Sequence, residues 1–338
     1  MSTKRRSAWV IGAVTAILGL GACSQAPVEP AGEAPAAARA VRAAAHESAR
    51  IRWGSGPGEA GFRPKAGESA AEGPSAVAVS RDAVFVLDRL HERVLRVSFR
   101  AGDPARIAAE VPRDAEHLAA GPDGSLAAWS PLRAMAWLRS PDGSDAGEIA
   151  VPRALRDVQS IALTGSHRVR VTTAMQESLD LGSPRVPLDL SAALRTKREG
   201  AAFLSDGRGV AVRRFDGRTA ELLVYARADR DRRAVAVRHR LDGTIDAARI
   251  VGTAGAVVCL RIERVTSAAV VEVAREVQCL DVEKGATVLR ASLPPPGPYT
   301  PHEELAVGQS PPSLAAMTPD DGGLIVQRWS LVTTEVQR

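Results

Sequence analysis

The stretch Ser75 to Val97, SAVAVSRDAVFVLDRLHERVLRV, confines the chain to a narrow set of folds. Val77 and Val79 alternate with Ala76, Ala78 and Ser80, and the polar step Arg81-Asp82 follows. Next comes Ala83-Val84-Phe85-Val86-Leu87, then Asp88-Arg89, then a turn at Leu90-His91-Glu92. A third run, Arg93-Val94-Leu95-Arg96-Val97, closes the unit. Runs this short, rich in β-branched residues and separated by turn residues, build all-β sandwiches, barrels or propellers. No segment sustains the 3.6-residue apolar period of a long amphipathic helix.

Turn signals divide the rest of the chain in the same way. Pro122-Asp123-Gly124, Pro141-Asp142-Gly143, Gly165-Ser166-His167, Asp206-Gly207, Asp216-Gly217, Asp242-Gly243 and Asp320-Asp321-Gly322-Gly323 separate apolar runs. Six units of about 45–50 residues, the size of a propeller blade, fit residues 50–338. Residues 175–198 read poorly and leave five or seven units open. The expectation is an all-β chain folded as a six-bladed β-propeller. A propeller closes by pairing an N-terminal strand with its last blade, and Arg50-Ile51-Arg52-Trp53 is the candidate to complete the unit ending near Trp329.

Over residues 52–99 the chain resembles the NHL-repeat propellers. Val86-Leu87-Asp88-Arg89, the polar turn Leu90-His91-Glu92 and then Arg93-Val94 match that family's apolar-Asp-Arg step, turn and Arg-Val. The glycine-rich loop from Trp53 to Phe62 looks like the entry to an NHL blade. His91 stands where the family more often has Asn, and the likeness fades after residue 99. The resemblance implies a fold and a hydrogen bond between Asp88 and Arg93. It implies no activity, because propellers host binding, scaffolding and catalysis alike.

The N-terminus carries an address. Lys4-Arg5-Arg6 is a positive n-region, and Ala8 to Leu20 is an uncharged apolar run. That run is short for a bilayer-spanning helix, which needs about 20 residues. It ends in Leu20-Gly21-Ala22-Cys23, an aliphatic residue, two small residues and a cysteine, as in a bacterial lipobox. The reading is a signal peptide over residues 1–22, cut before a Cys23 that carries the acyl chains, palmitate among them. Residues 23–49, rich in Ala and Pro, read as a tether that buries too little surface to fold alone. Ser24, rather than Asp, behind the cysteine points to the outer membrane of a bacterial cell envelope.

Charge excludes one class of partner. Of the 44 basic residues three, Lys4, Arg5 and Arg6, lie in the leader, which leaves 41 against 39 acidic residues. So small an excess gives no footprint for nucleic acid. Arg230, Arg232 and Arg233, in the run from Arg227 to Arg240, form a candidate anion-binding edge, or else a solvated loop interrupted by Asp229 and Asp231.

The remaining chemistry is sparse. Cys259 and Cys279 are symmetric about residue 269, so a simple hairpin sets them opposite each other, as a disulfide in an exported protein or as two buried thiols. The pairs His46-Glu47, His91-Glu92 and His302-Glu303 lack a second histidine at metal-binding spacing and read as solvated turn residues. His117, His167 and His239 are isolated. Gly54-Ser55-Gly56-Pro57-Gly58 reads as a loop, since Pro57 removes a donor that a phosphate cradle needs. No nucleophile elbow, Walker sequence, metal set or cofactor motif is legible. The functional expectation is a lipid-anchored propeller that binds or scaffolds a protein or envelope ligand. The alternative is a metal-dependent hydrolase or lyase of lactonase type.

Overall fold

The computed structural model describes residues 47–155, 157–164, 167–215, 218–226, 235–267, 272–295 and 297–331. Cys23 and its lipobox neighbours Leu20, Gly21 and Ala22 lie outside them, as do Arg230, Arg232 and Arg233. The described chain forms six antiparallel sheets, five of four strands and one of five. Their innermost strands, Ala76–Val79, His117–Ala120, Val158–Thr164, Ala202–Phe203, Ile245–Ala254 and Leu305–Gln309, surround one channel. The chain is a six-bladed β-propeller.

The first blade shows why the sequence was readable there. Ala76–Val79 and Val84–Asp88 are buried at every position. Val77, Val79, Val84 and Val86 pack against Ala315, Met317, Leu324 and Val326 of blade 6. Ala76, Ala78, Phe85 and Leu87 pack against Leu118, Leu126 and Ala128 of blade 2. A strand covered on both faces reads as a near-continuous apolar run. The outer strand Arg106–Glu110 has one buried residue, Ala109, and reads as polar.

The ring closes with the N-terminal strand as the outer strand of blade 6. Glu47–Ile51 pairs antiparallel with Gly323–Ser330, in the register Ala49 to Val326 and Ile51 to Leu324. It begins three residues inside the stretch expected as tether, because Ala49 and Ile51 face the blade 6 core while Ser48 and Arg50 face outward. Trp53 stands beyond the strand and still joins the closure, its indole N–H donating to the Asp320 carbonyl at 2.9 Å. Closure is close-packed at Gly323 (φ +150°), where an added Cβ would lie 2.3 Å from the Ile51 carbonyl oxygen.

Blade 3 departs from the others, in the stretch that resisted reading. After Glu177–Ser183 the outer position is filled by two dipeptide strands, Val186–Pro187 and Arg198–Glu199. A short helix, Leu190–Arg195, lies between them, started by the Asp189 carboxylate accepting from Ala192 N–H at 2.7 Å. Blade 5 carries the long hairpin. Cys259 pairs directly with Cys279 across it, and the two form a disulfide inside the apolar cluster between blades 5 and 6.

Candidate functional site

Inner strands begin at one face of the ring, here the upper face, and end at the lower. The channel between them encloses about 230 Å³. Its wall is mostly small and apolar, with Val77, Ala119, Ile161, Leu163, Val251 and Val307 among the lining residues. The lower mouth is polar, with Ser80, Arg81, Thr164, Gln309 and Ser310 in its rim, and polar groups enter at two further places.

The first is the upper mouth. The segment ahead of the blade 6 inner strand bridges to blade 1, with Val77 N–H donating to the Glu303 carbonyl and Glu303 N–H to the Ser75 carbonyl, each at 3.0 Å. That anchors the Glu303 carboxylate against blade 2, where one oxygen lies 2.9 Å from His117 Nδ1 and the other accepts from Leu118 N–H at 3.3 Å. The His117 ring packs 4.7 Å from that of Trp129. Glu304, buried beside it, accepts from Arg275 and pairs with Arg261 at 2.8 Å. Arg249 on the blade 5 inner strand reaches the His302 carbonyl at 3.4 Å. Water reaches Arg249 while protein surrounds it, and this desolvation, with Arg261 near by, lowers its pKa. The expectation that Glu303 is solvated is therefore corrected: its partners stand about 185 residues away in sequence and become visible only in the ring. His302 is exposed, as expected.

His91 needs the same correction. It is half-buried, with Nδ1 2.9 Å from Asp88 Oδ2. That oxygen also accepts from Arg93 Nε at 3.1 Å and Gly61 N–H at 3.2 Å. Arg93 Nη2 donates to the carbonyls of Gly56 and Glu59, which pins the glycine-rich entry loop to the blade. Beside this cluster on the upper face stand Trp53, Phe62 and Tyr299, with ring centroids 5.0–6.4 Å apart. The Tyr299 hydroxyl is buried and unpartnered among the described residues, and burial, with Asp88 near by, raises its pKa.

The second polar place is the junction of blades 3 and 4. Apolar clusters fill the other five junctions. Here the alternation of blade 3 turns Val169, Val171, Leu179 and Leu181 toward blade 2. It leaves Arg168, Arg170, Thr172, Ser178 and Asp180 on the opposite side. Thr172 and Ser178 are bonded to each other and to the carbonyls of Ala201 and Gly200. The Gln176 side chain makes a two-way bridge with the backbone of Val212, at 2.6 and 2.7 Å. Arg168 spends both Nε and Nη2 on Asp180. Arg198 donates to the Gly207 carbonyl and lies 4.1 Å over the ring of Phe203. Arg170 lies 4.8 Å over the same ring and lines the channel. Desolvation, with Arg198 near by, lowers its pKa. Among the described residues, no three His, Cys, Asp or Glu side chains are grouped as a metal site requires.

No protein-family model matches the chain, and no curated protein matches it in sequence. Solved propellers and related chains align with it at low identity. Hydrazine synthase of Kuenenia stuttgartiensis aligns at 12% identity over 72% of this chain and 76% of that one, with a TM-score of 0.43. BamB from Moraxella catarrhalis aligns at 11% over 84% and 97%, with a TM-score of 0.42. The PQQ-bound aldose sugar dehydrogenase of Streptomyces coelicolor aligns at 11% over 81% and 100%, with a TM-score of 0.41. At these values the fold assignment rests on the six sheets and their closure.

Proposed function

We propose that this chain is a bacterial lipoprotein whose NHL-like propeller, tethered through Cys23 to the outer membrane, binds or scaffolds a protein partner. The observation that carries the reading is the lipobox Leu20-Gly21-Ala22-Cys23 joined to a propeller whose first strand starts at Glu47 on the lower face. Entry from below leaves the upper face, at the opposite end of the channel, to a partner. That face carries the two long loops with Trp53, Phe62 and Tyr299, and aromatic residues are the side chains that anchor protein interfaces. The acids at this end support a binding role rather than proton transfer. Glu303 is engaged by His117 and Leu118, Glu304 by Arg261 and Arg275, and Asp88 by Arg93.

Crosslinked co-purification of the tagged chain from its native membrane tests this, with Cys23→Ser as the control. The expected result is a stoichiometric partner that is lost in Cys23→Ser together with membrane association. A Cys23→Ser chain that stays membrane-bound, or a wild-type chain that captures nothing at stoichiometric yield across growth conditions, overturns it.

A further inference from the structure

We propose that the junction of blades 3 and 4, where it opens into the central channel, binds a small monocarboxylate through the Arg170 guanidinium. Three observations converge. Blade 3 presents three arginines near this junction, Arg168, Arg170 and Arg198, and the Asp180 carboxylate, opposite Arg170 across the strand pair, is already held by Nε and Nη2 of Arg168. Among the described residues no carboxylate or carbonyl oxygen bonds Arg170. Its place is nonetheless fixed, by stacking over Phe203, and it faces the channel cavity.

A half-buried cation whose nearest carboxylate, Asp180, is already engaged by Arg168 is an anion site in waiting. The edge of a guanidinium plane offers parallel N–H donors matched to the two oxygens of a carboxylate. A monoanion is the smallest ligand that offsets the charge of Arg170, beside which Arg198 adds a second positive charge. The cavity sets the size. Its 230 Å³ lies below the about 300–1,000 Å³ of pockets for drug-sized ligands, which suits a short-chain or single-ring acid rather than a nucleotide. Ile161, Leu163, Val251 and Val307 offer the body of such an acid an apolar wall. Thr172 and Ser178 are occupied by their own hydrogen bonds and do not compete for it. This inference goes beyond the scaffold reading and is independent of it, since neither lipid nor partner protein enters the site.

The test is titration calorimetry on the full chain in non-ionic detergent, with benzoate and hexanoate as probes. Benzamide and hexanamide serve as neutral ligands of the same shape. The expected result is saturable binding of at least one acid, with its amide at least about tenfold weaker, as for the loss of one charged hydrogen-bonded pair. Arg170→Gln should abolish acid binding, and Arg170→Lys should weaken it, because an ammonium lacks the planar fork. No saturable binding of either acid at millimolar concentration overturns the proposal. So does an amide that binds as tightly as its acid, or an Arg170→Gln protein that binds like wild type. The comparison of acid with amide on the wild-type chain decides the matter should Arg170→Gln fail to fold.

Discussion

Asp88 anchors the buried polar cluster of the first blade, and its truncation can be worked through. Asp88 is wholly buried, and Arg93 is 6% exposed. One carboxylate oxygen of Asp88 accepts from Arg93 and Gly61 and lies 2.9 Å from His91 Nδ1, and Arg93 in turn holds the Gly56 and Glu59 carbonyls. Asp88→Ala leaves the guanidinium buried without its counter-charge and Gly61 N–H without an acceptor. Breaking a buried pair from one side costs about 3–5 kcal/mol. The two hydrogen bonds donated by Arg93 and Gly61, each worth about 1.5–3 kcal/mol, sum to about 3–6 kcal/mol, a similar figure. Asp145→Ala is the control: its pair with Arg139 leaves the carboxylate side chain 70% exposed, and loss of such a pair costs about 0–1 kcal/mol. Urea unfolding followed by tryptophan fluorescence measures both variants. Trp53, at the start of the pinned loop, should also make the loop's release visible before global unfolding. An Asp88→Ala cost within 1 kcal/mol of the Asp145→Ala cost would refute the reasoning, for the buried cluster would then be no stronger than a surface pair.

Three further outcomes follow from single contacts. Cys259→Ala with Cys279→Ala should cost about 3 kcal/mol for a crosslink across a sequence separation of 20, and thiol labelling of these two positions should require reduction. Gly323→Ala should cost about 2–3 kcal/mol, since the new Cβ meets the Ile51 carbonyl at a φ that L side chains rarely adopt, and limited proteolysis should then release the N-terminal strand first. Asp320 should titrate below its ordinary value, because the Arg50 guanidinium hydrogen-bonds its charged form. A depressed carboxyl stabilises the closure fully above the unfolded value of about 3.9 and loses that effect as pH falls through the folded one. Arg50→Ala should return the Asp320 midpoint, read by NMR, toward the ordinary value.

What the sequence revealed and what it hid have physical causes. The inner strands of blade 1 are apolar on both faces, so Ala76–Val79 and Val84–Leu87 stand out as uninterrupted runs between polar turns. The bond between Asp88 and Arg93 was legible because it spans one turn. The cysteine pair was legible because one hairpin carries both. The outer edge of blade 3 was hidden because its strands are two residues long and a six-residue helix separates them, too short for either periodicity to register. Glu303 and His117 were hidden because their meeting depends on closing the ring. Arg170 is the instructive case. The string Arg168-Val169-Arg170-Val171 announces a strand with one polar face, and such a face ordinarily turns to solvent. Only the arrival of Phe203 from the next blade makes that face internal.

That internal polar face poses a question of stability that a second measurement resolves. Five apolar junctions and the closure strand hold the ring, so one polar junction is tolerated, but it must cost something. If Arg170 served only to staple blades 3 and 4 through Phe203, its loss would forfeit a cation–π contact worth about 0.5–2 kcal/mol. If it is kept for an anion, the ligand-free protein carries a partly desolvated cation beside Arg198 whose nearest carboxylate, Asp180, is shared with Arg168, and removal should relieve it. Replacing ill-compensated buried ions by apolar side chains of similar volume often stabilises by about 1–4 kcal/mol. Arg170→Met keeps the length and the contact with Phe203 while deleting the charge. The ligand argument predicts an Arg170→Met protein at least as stable as wild type without a carboxylate, and less stable than wild type once a carboxylate saturates the latter, because only the wild type gains stability from binding. A loss of 1 kcal/mol or more in the absence of any anion would instead assign Arg170 the staple's role. The polar face of blade 3 would then be a structural seam and the channel an unoccupied axle.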